Sequence, residues 1–202
     1  MPISSKESLN NLEKSVKNCK KCSELVKTRK QPVSGIGAPS AKIIIIGNYP
    51  TPKGAEKSGK PYSGDSSGEF IRKIIDEVGL SLDEDTYLTY LVKCVPREGD
   101  GLNMKPEYIQ NCIHYFNEEI SITTPHIIVS LGLKTSNIIL KHFFSVEKEY
   151  QDIHDIHMRV FENPSFKLVP FYSPHDVMVK KRVSEERYTE DFRSLSKVLK
   201  MV

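Results

Sequence analysis

The apolar residues of this chain follow two alternating rhythms. The run KIIIIG at residues 42–47 is continuous and stops on a glycine, as a strand buried on both faces does. After a long Gly/Pro-rich loop, Phe70, Ile71, Ile74, Ile75 and Val78 recur at helical spacing, with Ser66 and Glu69 in capping-box spacing ahead of them. The alternation then repeats. TYLTYLV (86–92) predicts a strand, PEYIQNCIHYFNEEI (106–120) a helix, HIIVSL (126–131) a strand, TSNIILKHFF (135–144) a helix, KLVPFY (167–172) a strand and SEERYTEDFRSLSKVLKM (184–201) a closing helix. A helical stretch over residues 5–26 and a loop holding Pro32, Gly35, Gly37 and Pro39 precede the first strand.

Strand and helix in alternation predict an α/β fold, three layers α/β/α around a central four-stranded, mostly parallel sheet. Ligands of such sheets sit outside the carboxyl ends of the strands. Those ends are the loops at 47–65, 93–103, Gly132 and 173–182, so one mouth gathers most of the unusual chemistry. With no internal repeat, low-complexity tract or long linker, residues 1–202 are expected to form a single domain.

Composition narrows the function classes. Hydrophobic residues make up 38% and charged residues 27%, ordinary for a globular protein, and no apolar run approaches the roughly 20 residues of a membrane span. The N-terminus, MPISSKESLNNLEK, lacks an apolar segment behind a basic start, so the expected setting is cytoplasmic, without structural disulfides and without a membrane partner. The net charge of +3 is uneven: residues 1–30 hold eight Lys or Arg against three Glu, and Lys180, Lys181 and Arg182 form a second cluster. Such patches suit phosphate backbones and suit plain solvated faces equally well.

The four cysteines, Cys19 and Cys22 in NCKKC with Cys94 and Cys112 far downstream, admit a tetrahedral zinc, a cubane iron-sulfur cluster or four separate buried thiols. The wide spacing of the last two favours iron-sulfur over zinc, which more often takes two CxxC pairs. His154 and His157 in DIHDIHM have metal-like spacing but no nearby cysteine, and are expected to be a solvated surface pair. GAEKSGKP (54–61) fits GxxxxGK, yet Pro61 stands where a phosphate loop needs Ser or Thr, and another turn follows instead of a helix. Nucleotide hydrolysis is set aside on that mismatch.

In GKPYSGDSSGEF (59–70) a lone acid, Asp65, sits just ahead of a helix, where a capping role alone would explain it. Taken with KIIIIG, the stretch GNYPTPKGAEKSGKPYSGDSSGEF and the four cysteines, however, the chain resembles the iron-sulfur uracil-DNA glycosylases, closest to family 5, the type-B enzymes. Residues 47–68 follow that family's first motif without a gap. LVKCVPR resembles the segment carrying the third cluster cysteine, residues 103–112 the segment carrying the fourth, and ERYT (186–189) the family's Gly-Arg-Leu-Thr.

The resemblance implies a uracil-DNA glycosylase-like fold acting on DNA as a monomer, a structural 4Fe-4S cluster on Cys19, Cys22, Cys94 and Cys112, Tyr62 stacking on an extruded base, and Asp65 positioning or activating water. It also implies base contacts from Asn48, Tyr49, Tyr90 and Ser173, with His175 beside Asp65 in catalysis. Three departures stand out: Tyr90 replaces an Asn often found near the base, the second motif reads SPHD with His175 two positions late, and Asn48 lies where family 4 has Glu. The expected function is hydrolysis of the N-glycosidic bond of uracil or other deaminated bases in DNA. The alternatives are a glycosylase for a different modified base and a DNA-binding relative without chemistry.

Overall fold

The computed structural model describes residues 4–99 and 101–199. The chain begins with helices α1 (Ser5–Lys17) and α2 (Ser23–Thr28), enters a sheet by β1 (Ile36–Gly37), and crosses it in β2 (Ile43–Gly47). Helices α3 (Ala55–Ser58) and α4 (Ser66–Glu77) lead to β3 (Thr86–Tyr90), followed by a small hairpin of β4 (Arg97–Glu98) and β5 (Gly101–Leu102). Next come α5 (Pro106–Thr123), β6 (Ile127–Leu131), α6 (Leu133–Phe144), a 3-10 turn at Ile153–Asp155, β7 (Phe161–Glu162), β8 (Lys167–Phe171), α7 (Pro174–Met178) and α8 (Glu185–Leu199).

The main sheet has the order β1-β3-β2-β6-β8-β7. Its four central strands are parallel, and these are the four expected from the sequence. All five residues of β2 are buried because both edges are paired, Ile45 lying opposite Leu88 and Val129, and both faces are covered by helices. Two-residue antiparallel strands β1 and β7 close the edges and make the sheet six-stranded; pieces this short carry no periodicity. Pro170 is accommodated in β8 because β7 pairs only with Lys167 and Leu168, and beyond that pairing the Pro170 carbonyl accepts the Met158 amide at 2.9 Å.

The structure corrects three local expectations. The N-terminal helix is broken: the Asn18 carboxamide donates to the Lys14 carbonyl at 2.9 Å, α1 ends, and the CxxC segment loops before α2. The cap of α4 is Asp65, not Ser66. His157 is no solvated surface residue, since its Nε2 lies 2.9 Å from Asp191 Oδ2 on α8, while Ile153 and Ile156 of the same turn are buried. Only His154 is exposed, with Nδ1 3.0 Å from the Tyr172 hydroxyl. Residues 200–201 of the expected closing helix lie outside the described residues.

Buried apolar residues form two clusters. The larger surrounds the sheet; the smaller joins Leu12, Val16 and Leu25 of the N-terminal helices to Val92, Cys94, Tyr108, Cys112 and Tyr115. Between the clusters lies an ion pair with almost no solvent contact: Lys93 Nζ is 2.8 Å from Glu119 Oε1, and it also donates to Thr89 Oγ1 at 2.6 Å and to the Tyr90 carbonyl at 2.9 Å. Every Lys93 proton has an acceptor, which is what makes a buried ammonium tolerable. Glu119→Ala leaves that charge unpaired and is expected to lower stability by about 3–5 kcal/mol, read from the urea midpoint, whereas Lys93→Met with Glu119→Leu recovers most of the loss.

Candidate active site and cysteine centre

The central strands run β3-β2-β6-β8, so the chain leaves β2 in one direction and β6 in the other, opening a crevice at their carboxyl ends. A cavity of about 210 Å³ lies there. Gly47, Asn48 and Tyr49 line it from the exit of β2, Tyr90 from β3, Leu131 from β6, and Ser173 with His175 from the exit of β8. Tyr62 and Asp65 close it from the approach to α4. The seven non-cysteine residues expected at the site thus surround one cavity. Larger hollows of about 320 and 310 Å³ beside α1 and β1 contain none of them.

Asp65 caps α4 and faces this cavity at once. Its Oδ1 accepts the Gly68 amide at 2.9 Å, and its Oδ2 accepts a very short hydrogen bond from the Thr51 hydroxyl. Thr51, which the sequence reading passed over, therefore fixes the second oxygen, and nothing in the TPKG loop betrays this from sequence. Gly54 permits the arrangement, because a Cβ there would overlap the Asp65 carboxylate. The four-residue helix α3 ends on Gly59 at φ 75°, and α4 begins only at Ser66, so no helix N-terminus follows GKP and the phosphate-loop reading stays excluded.

Tyr62 is 5% exposed and has a left-handed backbone, φ 48°, which costs a non-glycine residue about 1–3 kcal/mol. Its ring lies 4.9 Å from that of Tyr90, tilted by 33°, and its hydroxyl presses against the bare backbone of Gly47. Burial holds both phenols well above their ordinary pKa, so they stay protonated. Tyr90 Oη accepts the Tyr62 amide at 3.0 Å, which turns the residue that replaces the expected Asn into a support for Tyr62. The Tyr62 hydroxyl and Asn48 Oδ1 are buried without a hydrogen-bond partner among the described residues.

The SPHD segment folds as a capping box. Ser173 Oγ donates to Asp176 Oδ2 at 2.6 Å and accepts the Asp176 amide at 3.2 Å, so the Ser173 hydroxyl proton goes to the helix cap. His175 in the first turn of α7 is exposed at the rim. Of the basic cluster behind it, Lys180 pairs with Asp176 at 3.1 Å and Arg182 with both oxygens of Asp152 at 2.6 Å. Val179, exposed by 66%, stands beside them.

On the other side of Tyr49, which packs against the smaller apolar cluster, the four cysteines line a second hollow. None of the four is in a disulfide. Three sulfurs accept N–H donors: Cys94 from Arg29 Nη1 at 3.1 Å, Cys112 from the Lys93 amide at 3.3 Å and Cys22 from Asn111 Nδ2 at 3.6 Å. Burial pushes these three thiols above their ordinary pKa, Cys112 to about 12. Four cysteine side chains lining one hollow are a donor set for a bound metal group, whose positive charge would turn them into thiolates. Among the described residues no three His, Cys, Asp or Glu side chains are gathered to hold a single metal ion.

The sequence profile described as the uracil DNA glycosylase superfamily matches residues 34–196. The chain belongs to this superfamily. Among its relatives, the type-4 uracil-DNA glycosylase of Archaeoglobus fulgidus is 27% identical over 95% of this chain and 94% of its own. The type-4 enzyme of Saccharolobus solfataricus is 37% identical over 62% of this chain, and the type-5 enzyme of Thermus thermophilus 30% identical over 56%. The match spans about half the length of each of these last two, 56%. The expected likeness to type-5 enzymes is therefore present, alongside one to type-4 enzymes that extends along nearly the whole chain. Within this superfamily fold, Asp65→Ala is expected to destabilise by about 0.5–2 kcal/mol through loss of the α4 cap, and Asp65→Asn to restore most of that, as thermal unfolding will show.

Proposed function

We propose that this chain is a DNA glycosylase that hydrolyses the N-glycosidic bond of uracil or another deaminated base, the first step of base excision repair. One observation carries the reading: in a chain of this superfamily, a single cavity at the carboxyl edge of the sheet combines a fixed carboxylate, an aromatic wall and an exposed imidazole. The three relatives described above are named uracil-DNA glycosylases.

A base stacked in a duplex is out of reach, so the nucleotide must rotate into the pocket, where the Tyr62 ring offers it a face. Cleavage builds positive charge on the sugar and negative charge on the departing base. Asp65, immobilised by Thr51 and Gly68, has lone pairs left on both oxygens to orient the attacking water or to face the sugar cation. The Asn48 carboxamide, the backbone amides of Asn48 and Tyr49, and His175 supply donors for the base oxygens. Ser173 acts through the cap that seats His175. Val179 and Lys181, both exposed and a few residues beyond His175 in the chain, would meet the phosphate backbone.

The cysteine quartet would hold a 4Fe-4S cluster: its four side chains line one hollow, and among the described residues no three donors converge on a single-ion site. When bound, such a cluster supplies a structural tie between the loop after α1, the exit of β3 and helix α5. Ser173, with its hydroxyl proton directed to Asp176, favours as the second reading a DNA-binding relative whose second motif serves packing alone.

The deciding experiment is a panel of duplexes bearing uracil, hypoxanthine or xanthine. Alkali-labile sites should form with at least one of them, and Asp65→Asn, which keeps the cap, should slow their formation about 10²–10⁴-fold with DNA affinity retained. DNA binding without release of any base would favour the second reading. For the centre, anaerobically purified protein should contain iron and sulfide and absorb visible light, and replacing Cys94 or Cys112 by Ala should abolish that absorption. Zinc in place of iron would reverse the assignment.

A further inference from the structure

The loop carrying Tyr62 runs between Gly59 at φ 75° and Gly64 at φ 82°, and Tyr62 itself stands at φ 48°. Glycines adopt that region freely; an aromatic residue does so only where its surroundings hold it. Left to itself, the peptide would relax to a right-handed or extended conformation and carry the ring away from the cavity. The hold comes from α4. Arg72 Nε donates to the Tyr62 carbonyl at 2.5 Å, and Arg72 Nη2 donates to the Pro61 carbonyl at 2.9 Å. From the opposite side Tyr90 accepts the Tyr62 amide at 3.0 Å, so both polar backbone groups of Tyr62 are tied. Gly68 in the first turn of α4 leaves room for the 62–63 peptide, which a Cβ there would strike.

We propose that Arg72 is a positioning residue for base recognition: by clamping the carbonyls of Pro61 and Tyr62 it fixes the Tyr62 ring as the wall of the pocket. Arg72 does not line the cavity and acts only through the loop. Both its bonds go to carbonyls rather than to a carboxylate, and they use the rigid two-donor edge of the guanidinium, which the single ammonium of lysine cannot reproduce. The assignment rests on the glycosylase reading for what the ring receives, but the clamp itself exists in the free protein.

The test is a double-mutant cycle, read as affinity for a duplex with an uncleavable 2′-fluoro-deoxyuridine and for the same duplex undamaged. Arg72→Met should weaken binding to the first about tenfold, the scale of one lost base–aromatic stack, and leave the second within about twofold. Arg72→Lys should recover part of the loss, and in a Tyr62→Ala background Arg72→Met should change either affinity by less than about twofold. Equal losses on both duplexes, or the same loss without the Tyr62 ring, would overturn the proposal, since Arg72 would then support only the fold. Should Arg72→Met fail to fold, Arg72→Lys is read in the same cycle by the same criterion. If the unaltered protein does not distinguish the duplexes, the glycosylase reading fails; the clamp is then judged on the Tyr62 amide and ring resonances of the free protein, which must shift in Arg72→Lys for it to stand.

Discussion

In a parallel sheet the chain must return over one face after every strand, and where successive returns depart to opposite sides the strand ends between them stay uncovered. In this protein that gap lies between β2 and β6. Its floor is set by Gly47 and Leu131, the last residues of those two buried strands. Its walls are the loops that leave the four central strands. The site inherits its position from strand order, which is why residues more than a hundred positions apart, Asn48 and His175, share one cavity.

Capping and chemistry at Asp65 are not rival readings. A helix N-terminus offers amides that orient a carboxylate, and the α4 cap uses Oδ1 in this way while Thr51 secures Oδ2. A carboxylate so held cannot turn away when a ligand arrives. The same cap that stabilises the helix therefore aims the acid, and the absence of a side chain at Gly54 is the condition for it.

The four central strands and their covering helices were legible because each is long enough to show a rhythm: KIIIIG and HIIVSL could hardly be anything else. The edge strands, the hairpin after β3 and helices α3 and α7 span two to five residues, too few for periodicity to register. The break in the N-terminal helix escaped because the helix formers on either side of it read as one run, although Asn18 and the two cysteines between them are weak formers and Asn18 ends α1. His157 misled for a related reason. An acid-rich local stretch reads as surface, whereas its partner Asp191 is supplied from α8, over thirty residues away. The cavity residues were found through an ungapped motif. Thr51 and Arg72 were not, since each works through backbone or carboxylate geometry that exists only once the loop is folded.

The smaller apolar cluster has a life of its own. It joins α1 and α2 to the exit of β3 and to α5 through a handful of side chains, four of them lining a hollow with sulfur, and it is separate from the cluster that surrounds the sheet. Helices α1 and α2 are fastened through this small joint, and Tyr49, which packs against it and also lines the cavity, is the side chain that joint and pocket share.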